Sequence, residues 1–326
     1  MRAAQARLAP YIVRTPVVDW QGGSARRYLG ADAHLVLKLE PFQRTGTFKA
    51  RGALNTLLTA ERADRITAFS AGNHAIAVSY AASVVGADAK VVMQASANPA
   101  RIAATEAFGA EVVIEPTGVA AFARAEALVE DEGRLFIHPF EGPRVTEATA
   151  GVALELIEDA GALDAIVVAI GGGGLAGGVA AAVKQLDPAC AVYGVEPAGA
   201  AVMSRSMAAG TPLTVDDLDT IADSLAPPMT TPFAFETCRR YVDDIVVVSD
   251  DQMAAAAALL FAERKLAVEP AGAAATAAAF GPLRRRLAGK RVGLIVCGAN
   301  IDRHSFCTLL ARGEAALDDG VLAPGR

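Results

Sequence analysis

The chain has 326 residues, 53% of them hydrophobic and 20% charged, with a net charge of −6. This length predicts two domains and the composition predicts a large core, which excludes a disordered chain. Basic residues are spread thinly among a larger number of acidic ones, so no nucleic-acid-binding face is expected.

Met1–Pro16 carries Arg2, Arg7 and Arg14 and no apolar segment, so it does not read as a secretion signal. The four cysteines (Cys190, Cys238, Cys297, Cys307) lack CxxC spacing, which predicts reduced thiols and a cytoplasmic protein. The four histidines form no ligand cluster, so no structural zinc is expected and no metal ligand is assigned. Apolar runs predict strands at Leu35–Leu39, Ile66–Phe69, Val91–Met93, Val112–Ile114, Leu135–Ile137, Ile166–Ile170, Val192–Val195, Ile245–Val248 and Val292–Val296. Segments of helical spacing separate most of them, as at Ala50, Ala53, Leu54, Leu57 and Leu58. Asn98-Pro99 reads as a helix cap followed by proline at the first helical position, with Gly109 as the stop. Such alternation predicts an α/β fold of open, twisted, mainly parallel sheets covered on both faces. Ala165–Val183 is 19 residues without a charge, long enough to span a membrane. It holds six glycines, so a strand, a turn and a helix are expected there and no membrane span. The tail from Asp319 to Arg326 is expected to fray.

Three segments carry candidate chemistry. Thr45-Gly-Thr-Phe-Lys-Ala-Arg-Gly52 lies between a predicted strand and helix and places Lys49 in the first helical turn. The positive end of the helix dipole lowers an amine pKa and favours the free amine that attacks a carbonyl. Phe48 beside it offers a face for a flat ring. Ser70-Ala-Gly-Asn-His74 is a second strand-to-helix loop, which also reads as a simple helix cap. Gly171-Gly-Gly-Gly174 is the third, following Ile166–Ile170. Glycines there let an anion approach the N–H groups at a helix start. The same loop fits GxGxxG at Gly172, Gly174 and Gly177, with Glu196 about 20 residues on, as a dinucleotide site would. On this motif alone a nicotinamide dinucleotide and another phosphate ligand stay equally open, and so does close packing without a ligand.

Together these segments resemble the fold-type II pyridoxal-phosphate enzymes, in the serine/threonine dehydratase (ammonia-lyase) branch that also holds serine racemase. The resemblance extends over nearly the whole chain and implies a fold like that of the tryptophan synthase β chain. It makes Lys49 the Schiff-base lysine and Gly171, Gly172, Gly173 and Gly174 the cradle for the cofactor phosphate. Ser70, Ala71, Gly72, Asn73 and His74 become the substrate loop, with Asn73 also at the cofactor's ring hydroxyl. A fourth match, Cys297-Gly-Ala-Asn300, puts Cys297 at the ring nitrogen, although an inert core thiol is the plain reading of a buried cysteine. Glu269 matches a position near the ring, with a plain structural role equally open; Phe140 and Ser224 fall near the pocket, and Ser224 stands where relatives have glycine.

The resemblance implies a large cofactor domain, 1–51 with 143–326, and a small domain, 52–142, in a homodimer. It implies conversion of L-serine, L-threonine or a related β-hydroxy amino acid to a 2-keto acid and ammonia, Lys49 being both anchor and base. A racemase or a β-replacement enzyme on the same fold, an NAD-dependent dehydrogenase, and a ligand-binding or regulatory protein on a decayed scaffold are the alternatives; intact Lys49, Asn73 and tetraglycine argue against the last. Racemisation needs a proton donor opposite the lysine, which resembling racemases supply from a serine where this chain has Ala71. Those racemases also bind a divalent ion through acids just after the strand ending in Glu196, and Val202 occupies the second such position. The chain ends 29 residues after Cys297, so no isoleucine-responsive regulatory domain is expected.

Overall fold

A computed structural model describes residues 1–322. Its strands are β1 (Val17–Trp20), β2 (His34–Leu39), β3 (Arg65–Phe69), β4 (Asp88–Gln94), β5 (Glu111–Glu115), β6 (Leu135–Phe136), β7 (Ala165–Ala169), β8 (Ala191–Pro197), β9 (Asp244–Val248) and β10 (Arg291–Val296). They form two sheets, one in the order β1-β2-β10-β7-β8-β9 and one in the order β5-β4-β3-β6. Every pairing is parallel except β1 with β2, so the fold is α/β with helical crossovers between strands.

All nine expected strands are present, and β1 is the addition. Its four residues Val-Val-Asp-Trp are too few to show a period, and only pairing with β2, from Val17 opposite Lys38 to Trp20 opposite Leu35, extends them. The uncharged stretch from Ala165 to Val183 is β7, the glycine turn and most of the helix Gly174–Leu186. Among the described residues no helix is long and apolar enough to cross a membrane. At the helix Pro99–Glu106, Asn98 Oδ1 accepts the N–H of Ala100 at 2.9 Å. The expected fraying of the tail is corrected for its first residues. Val321 donates to the Ala316 carbonyl at 3.0 Å and Leu322 is buried, because its side chain joins the main core. Residues 323–326 lie outside the described residues.

This topology places the functional loops. Strands β2, β10 and β7 are adjacent and parallel, so the loops that leave their C-terminal ends emerge at one edge. That edge of an open parallel sheet is where ligands bind. The loop after β3, in the second sheet, faces the same cleft: Asn73 reaches Glu269, and Asn300 in the loop after β10 reaches Asn73.

Candidate active site

Lys49 begins the helix Lys49–Leu58, as its motif predicts. The loop before it is stitched to the exit of β10. Phe48 N–H donates to the Cys297 carbonyl at 3.2 Å, Ala299 N–H to Gly46 at 3.0 Å, and the Asn300 amide to the Thr45 carbonyl at 2.9 Å. Gly46 has φ +73° and lies so close to Asn300 that a Cβ would fall 2.3 Å from its Oδ1, so only glycine fits. Lys49 Nζ donates to the Pro139 carbonyl at 2.8 Å and sits 5.2 Å from the centre of the Phe48 ring. Burial lowers its pKa to about 8, against the opposing pull of Cys297 and Glu269. Burial is the leading cause that frees this amine.

Two residues on, Arg51 anchors the same helical turn from below. Its guanidinium donates to Glu40 at 2.8 and 2.9 Å and to Glu155 at 2.7 and 2.8 Å. Lys38 completes the set, donating to Glu155 at 2.6 Å and to the Thr15 carbonyl at 2.8 Å. The two cations balance the two anions, and all four side chains are buried. Deleting one member would leave an uncompensated charge in the core, a loss of about 3–5 kcal/mol.

The helix Gly174–Leu186 starts from Gly173, which has φ +98° and offers no side-chain cap. Thr230, Cys238 and Thr149 donate to the carbonyls of Gly172, Gly173 and Gly174, at 3.2, 3.5 and 2.8 Å. The carbonyls are thus occupied while the helix's first N–H groups carry no side-chain partner, which is the electrostatics of an anion site. Phe140 enforces glycine here, since a Cβ on Gly172 would lie 2.4 Å from its ring and one on Gly174 2.9 Å from its Cα. His138 holds that phenylalanine in place, its Nδ1 accepting the N–H groups of Phe140 and Glu141 at 3.3 and 3.0 Å. Burial brings the His138 pKa down to about 4, so the imidazole is neutral and keeps this acceptor.

In the loop after β3, Ser70 Oγ accepts the N–H of Gly72 at 3.2 Å, and Asn73 opens the helix Asn73–Val85. Asn73 Nδ2 donates to Glu269 Oε1 at 2.7 Å and keeps its second N–H, while its Oδ1 accepts from Asn300 at 2.8 Å. His74 turns its Nε2 to the Ile137 carbonyl, 2.8 Å away, and burial lowers its pKa to about 3. Its ring is therefore buried and neutral.

Phe48, Lys49, Asn73, Gly171, Gly172, Gly173, Gly174 and Cys297 line one cavity, where Phe140, Ser224 and Glu269 join them. Ala71 borders a second, wider cavity of about 510 Å³, with Glu269 as the shared wall. Ser70, Gly72 and His74 stand behind these linings. The Cys297 thiol donates to the Ala271 carbonyl at 3.3 Å, and burial pushes its pKa well above the usual thiol range. Arg101, on the helix Pro99–Glu106, pairs with Asp223, donates to the Asn300 carbonyl at 3.3 Å and lines the wide cavity. No sequence motif marks Arg101. Asn300 was visible in Cys297-Gly-Ala-Asn300, but its link to Asn73 appears only in three dimensions.

Glu196 is elsewhere. Its Oε1 accepts the N–H of Met203 at 2.7 Å, and its Oε2 accepts Ser204 N–H at 2.8 Å and the Ser204 hydroxyl at 2.5 Å. Both oxygens are spent on the start of the helix Val202–Ala209, so the acid that completed the dinucleotide fingerprint is not free for a ribose. Among the described residues no group of three or more His, Cys, Asp or Glu could hold a metal ion.

Residues 8–298 match the family described as pyridoxal-phosphate dependent enzyme. A phenylserine dehydratase of Ralstonia pickettii is 48% identical over 317 residues, covering 95% of this chain and 94% of that protein. The catabolic L-threonine dehydratase of Escherichia coli strain K12 is 36% identical over 304 residues, covering 92% of this chain and 91% of that protein. Among solved structures, maize serine racemase superposes with a TM-score of 0.88 at 32% identity, covering 98% of this chain and 97% of that one.

Proposed function

Because the chain belongs to the pyridoxal-phosphate-dependent enzymes, within the group of amino-acid dehydratases and racemases, we propose that it converts a β-hydroxy α-amino acid to a 2-keto acid and ammonia. The observation that carries this reading is the arrangement around Lys49. A half-buried amine with its pKa lowered to about 8 shares one cavity with an uncapped helix start and a neutral thiol. The dehydrogenase alternative is set aside, both by the family and by the occupied carboxylate of Glu196.

The residues fit the cofactor. The uncapped N–H groups at Gly173 and Gly174 suit a phosphate, and the spare N–H of Asn73 suits a ring oxygen. Lys49 supplies the amine for an aldehyde. Pyridoxal phosphate, when bound, withdraws the electrons released at the substrate Cα. The rest belongs to the chain. Lys49 Nζ takes the Cα proton. The Cys297 thiol carries no charge with which to hold a ring nitrogen protonated, which favours loss of the β-hydroxyl over longer-lived alternatives. Ala71 supports elimination over racemisation, because its methyl group has no proton to give.

For the substrate, the wide cavity that starts at Ala71 and Glu269 exceeds what the hydroxymethyl group of serine needs. It favours a bulky β-substituent, in line with the name of the phenylserine dehydratase relative, with serine and threonine as the smaller candidates. The test is a keto-acid assay over serine, threonine and phenylserine, with D-serine measured alongside. Purified protein is expected to absorb visibly, to lose that band with borohydride, and to release keto acid fastest from phenylserine. Lys49→Ala should reduce turnover below a few per cent. D-serine accumulating as fast as pyruvate would favour a racemase, and keto acid from Lys49→Ala at wild-type rates would remove the lysine assignment.

A further inference from the structure

Glu269 precedes the helix Pro270–Phe280 and is 2% exposed, yet it forms the wall between the two cavities. Its two oxygens differ. Oε1 accepts from Asn73 Nδ2 at 2.7 Å and from the Ser224 hydroxyl at 3.1 Å. Oε2 is buried and has no partner among the described residues. A buried polar atom without a partner is costly and points to a group that the protein itself does not supply. Because Oε1 already receives two donors, a proton on this carboxyl resides at Oε2.

We propose that Glu269 binds ligand as a neutral carboxyl, donating a hydrogen bond from Oε2 to an anionic oxygen of the molecule held between the two cavities. This rests on the reading of the cleft as a pyridoxal-phosphate and amino-acid site. Two oxygens there have the right chemistry, the ring oxygen of the cofactor and the carboxylate of the amino acid. The surroundings keep the proton on. Burial raises the Glu269 pKa to about 7, Asp223 adds to the rise, and Arg101 and the hydrogen bonds from Asn73 and Ser224 work against it. Lys49 and the Cys297 thiol are the remaining titratable groups that face it. An anionic ligand oxygen would raise the pKa further, so binding and protonation reinforce each other. Ser224 takes part directly: where the resemblance has glycine, this chain has a hydroxyl that fixes Oε1 as the acceptor and leaves Oε2 to the ligand.

The experiment compares wild type with Glu269→Gln, whose amide nitrogen can donate from the Oε2 position at any pH. Binding of pyridoxine phosphate, which has the ring oxygen and no aldehyde, is measured on the apoprotein from pH 6 to 9. Binding of glycine, an amino acid with no β-hydroxyl to lose, is measured on the holoenzyme. In the ratio of the two proteins the titrations of the ligand cancel. Above pH 7, wild-type affinity is expected to fall relative to Glu269→Gln, by up to about tenfold per pH unit, for the ligand that Oε2 touches. A fall with pyridoxine phosphate assigns the ring oxygen, and one with glycine alone assigns the carboxylate. Arg101→Gln should move the wild-type fall to higher pH, because it removes an opposing cation. Infrared difference spectra of wild type with and without ligand should show a protonated carboxyl band that grows on binding, so the proposal remains testable if Glu269→Gln folds poorly. A ratio flat with pH for both ligands, or no such band, overturns the proposal while leaving the cofactor reading intact. Wild type that binds neither pyridoxine phosphate nor pyridoxal phosphate overturns both.

Discussion

Neighbouring strands β7 and β8 run parallel, and each leads through a short turn into a helix, yet the two helix starts do opposite things. At Gly173 the start is left without a side-chain cap, and its carbonyls are tied down by Thr149, Thr230 and Cys238. At Val202 the start is closed from within by both oxygens of Glu196. The backbone plan is the same and the electrostatics are reversed. An anion site in this fold is made as much by withholding a capping residue as by placing glycines.

Gly173→Asp should break the open start most severely. A carboxylate there would compete for the N–H groups meant for phosphate, and φ +98° already disfavours any side chain. Affinity for pyridoxal phosphate is expected to fall by about 100-fold or more, roughly 3 kcal/mol, read by equilibrium dialysis. Gly173→Ala separates strain from charge. It carries the same backbone strain at φ +98° and meets Met203 at 2.7 Å, but adds no charge, so a smaller loss than that of Asp is expected. Equal losses from Ala and Asp would show that space, not charge, is what the glycine protects.

Glu196→Ala attacks the closed start. It removes the acceptor of two backbone N–H groups and one hydroxyl, and should lower folding stability by about 1–2 kcal/mol in thermal or urea unfolding. Cofactor affinity should not change, because Glu196 lines neither cavity. A weakened cofactor with stability unchanged would mean that the two helix starts are coupled through β7 and β8.

How much of this was legible in the sequence follows from the range of each interaction. Strand β7, the glycine turn and Lys49 at a helix start are set by local pattern, and the chain announces each within about ten residues. Strand β1 was missed because four residues carry no period, and what makes them a strand is the β2 edge. The fingerprint ending in Glu196 pointed two ways because spacing does not show where a carboxylate turns, and here it turns back to Met203 and Ser204. His74, read as part of the substrate loop, spends its ring on Ile137, a partner 63 residues away. Arg101 and the unpartnered oxygen of Glu269 were invisible for the same reason: their meaning lies in contacts between the two sheets.

The smallest effect is expected from divalent cations, and it follows from the closed start. The resemblance to racemases implies an ion held by acids close after Glu196, on β8, and Val202 occupies the second such position. Glu196 is the acid at hand, and Glu196 and Val202 do not make a cation site. Glu196 already accepts three hydrogen bonds at 2.5 to 2.8 Å, and Val202 is a buried apolar side chain with no lone pair to give. A cation entering there would have to take both oxygens from Met203 and Ser204 and leave the buried Met203 N–H without its partner, a loss that one carboxylate cannot repay. A chelator should therefore leave keto-acid production unchanged, and magnesium or calcium should leave the melting temperature unchanged. Melting temperature is the sharper measurement, because any ion bound only by the folded chain must raise it in proportion to the logarithm of its concentration, whether or not the ion touches the reaction. A rise with magnesium that persists in Glu196→Ala would place an ion elsewhere. One that disappears in that variant would mean that Glu196 gives up its hydrogen bonds after all, and the contrast between the open and the closed helix start would fail.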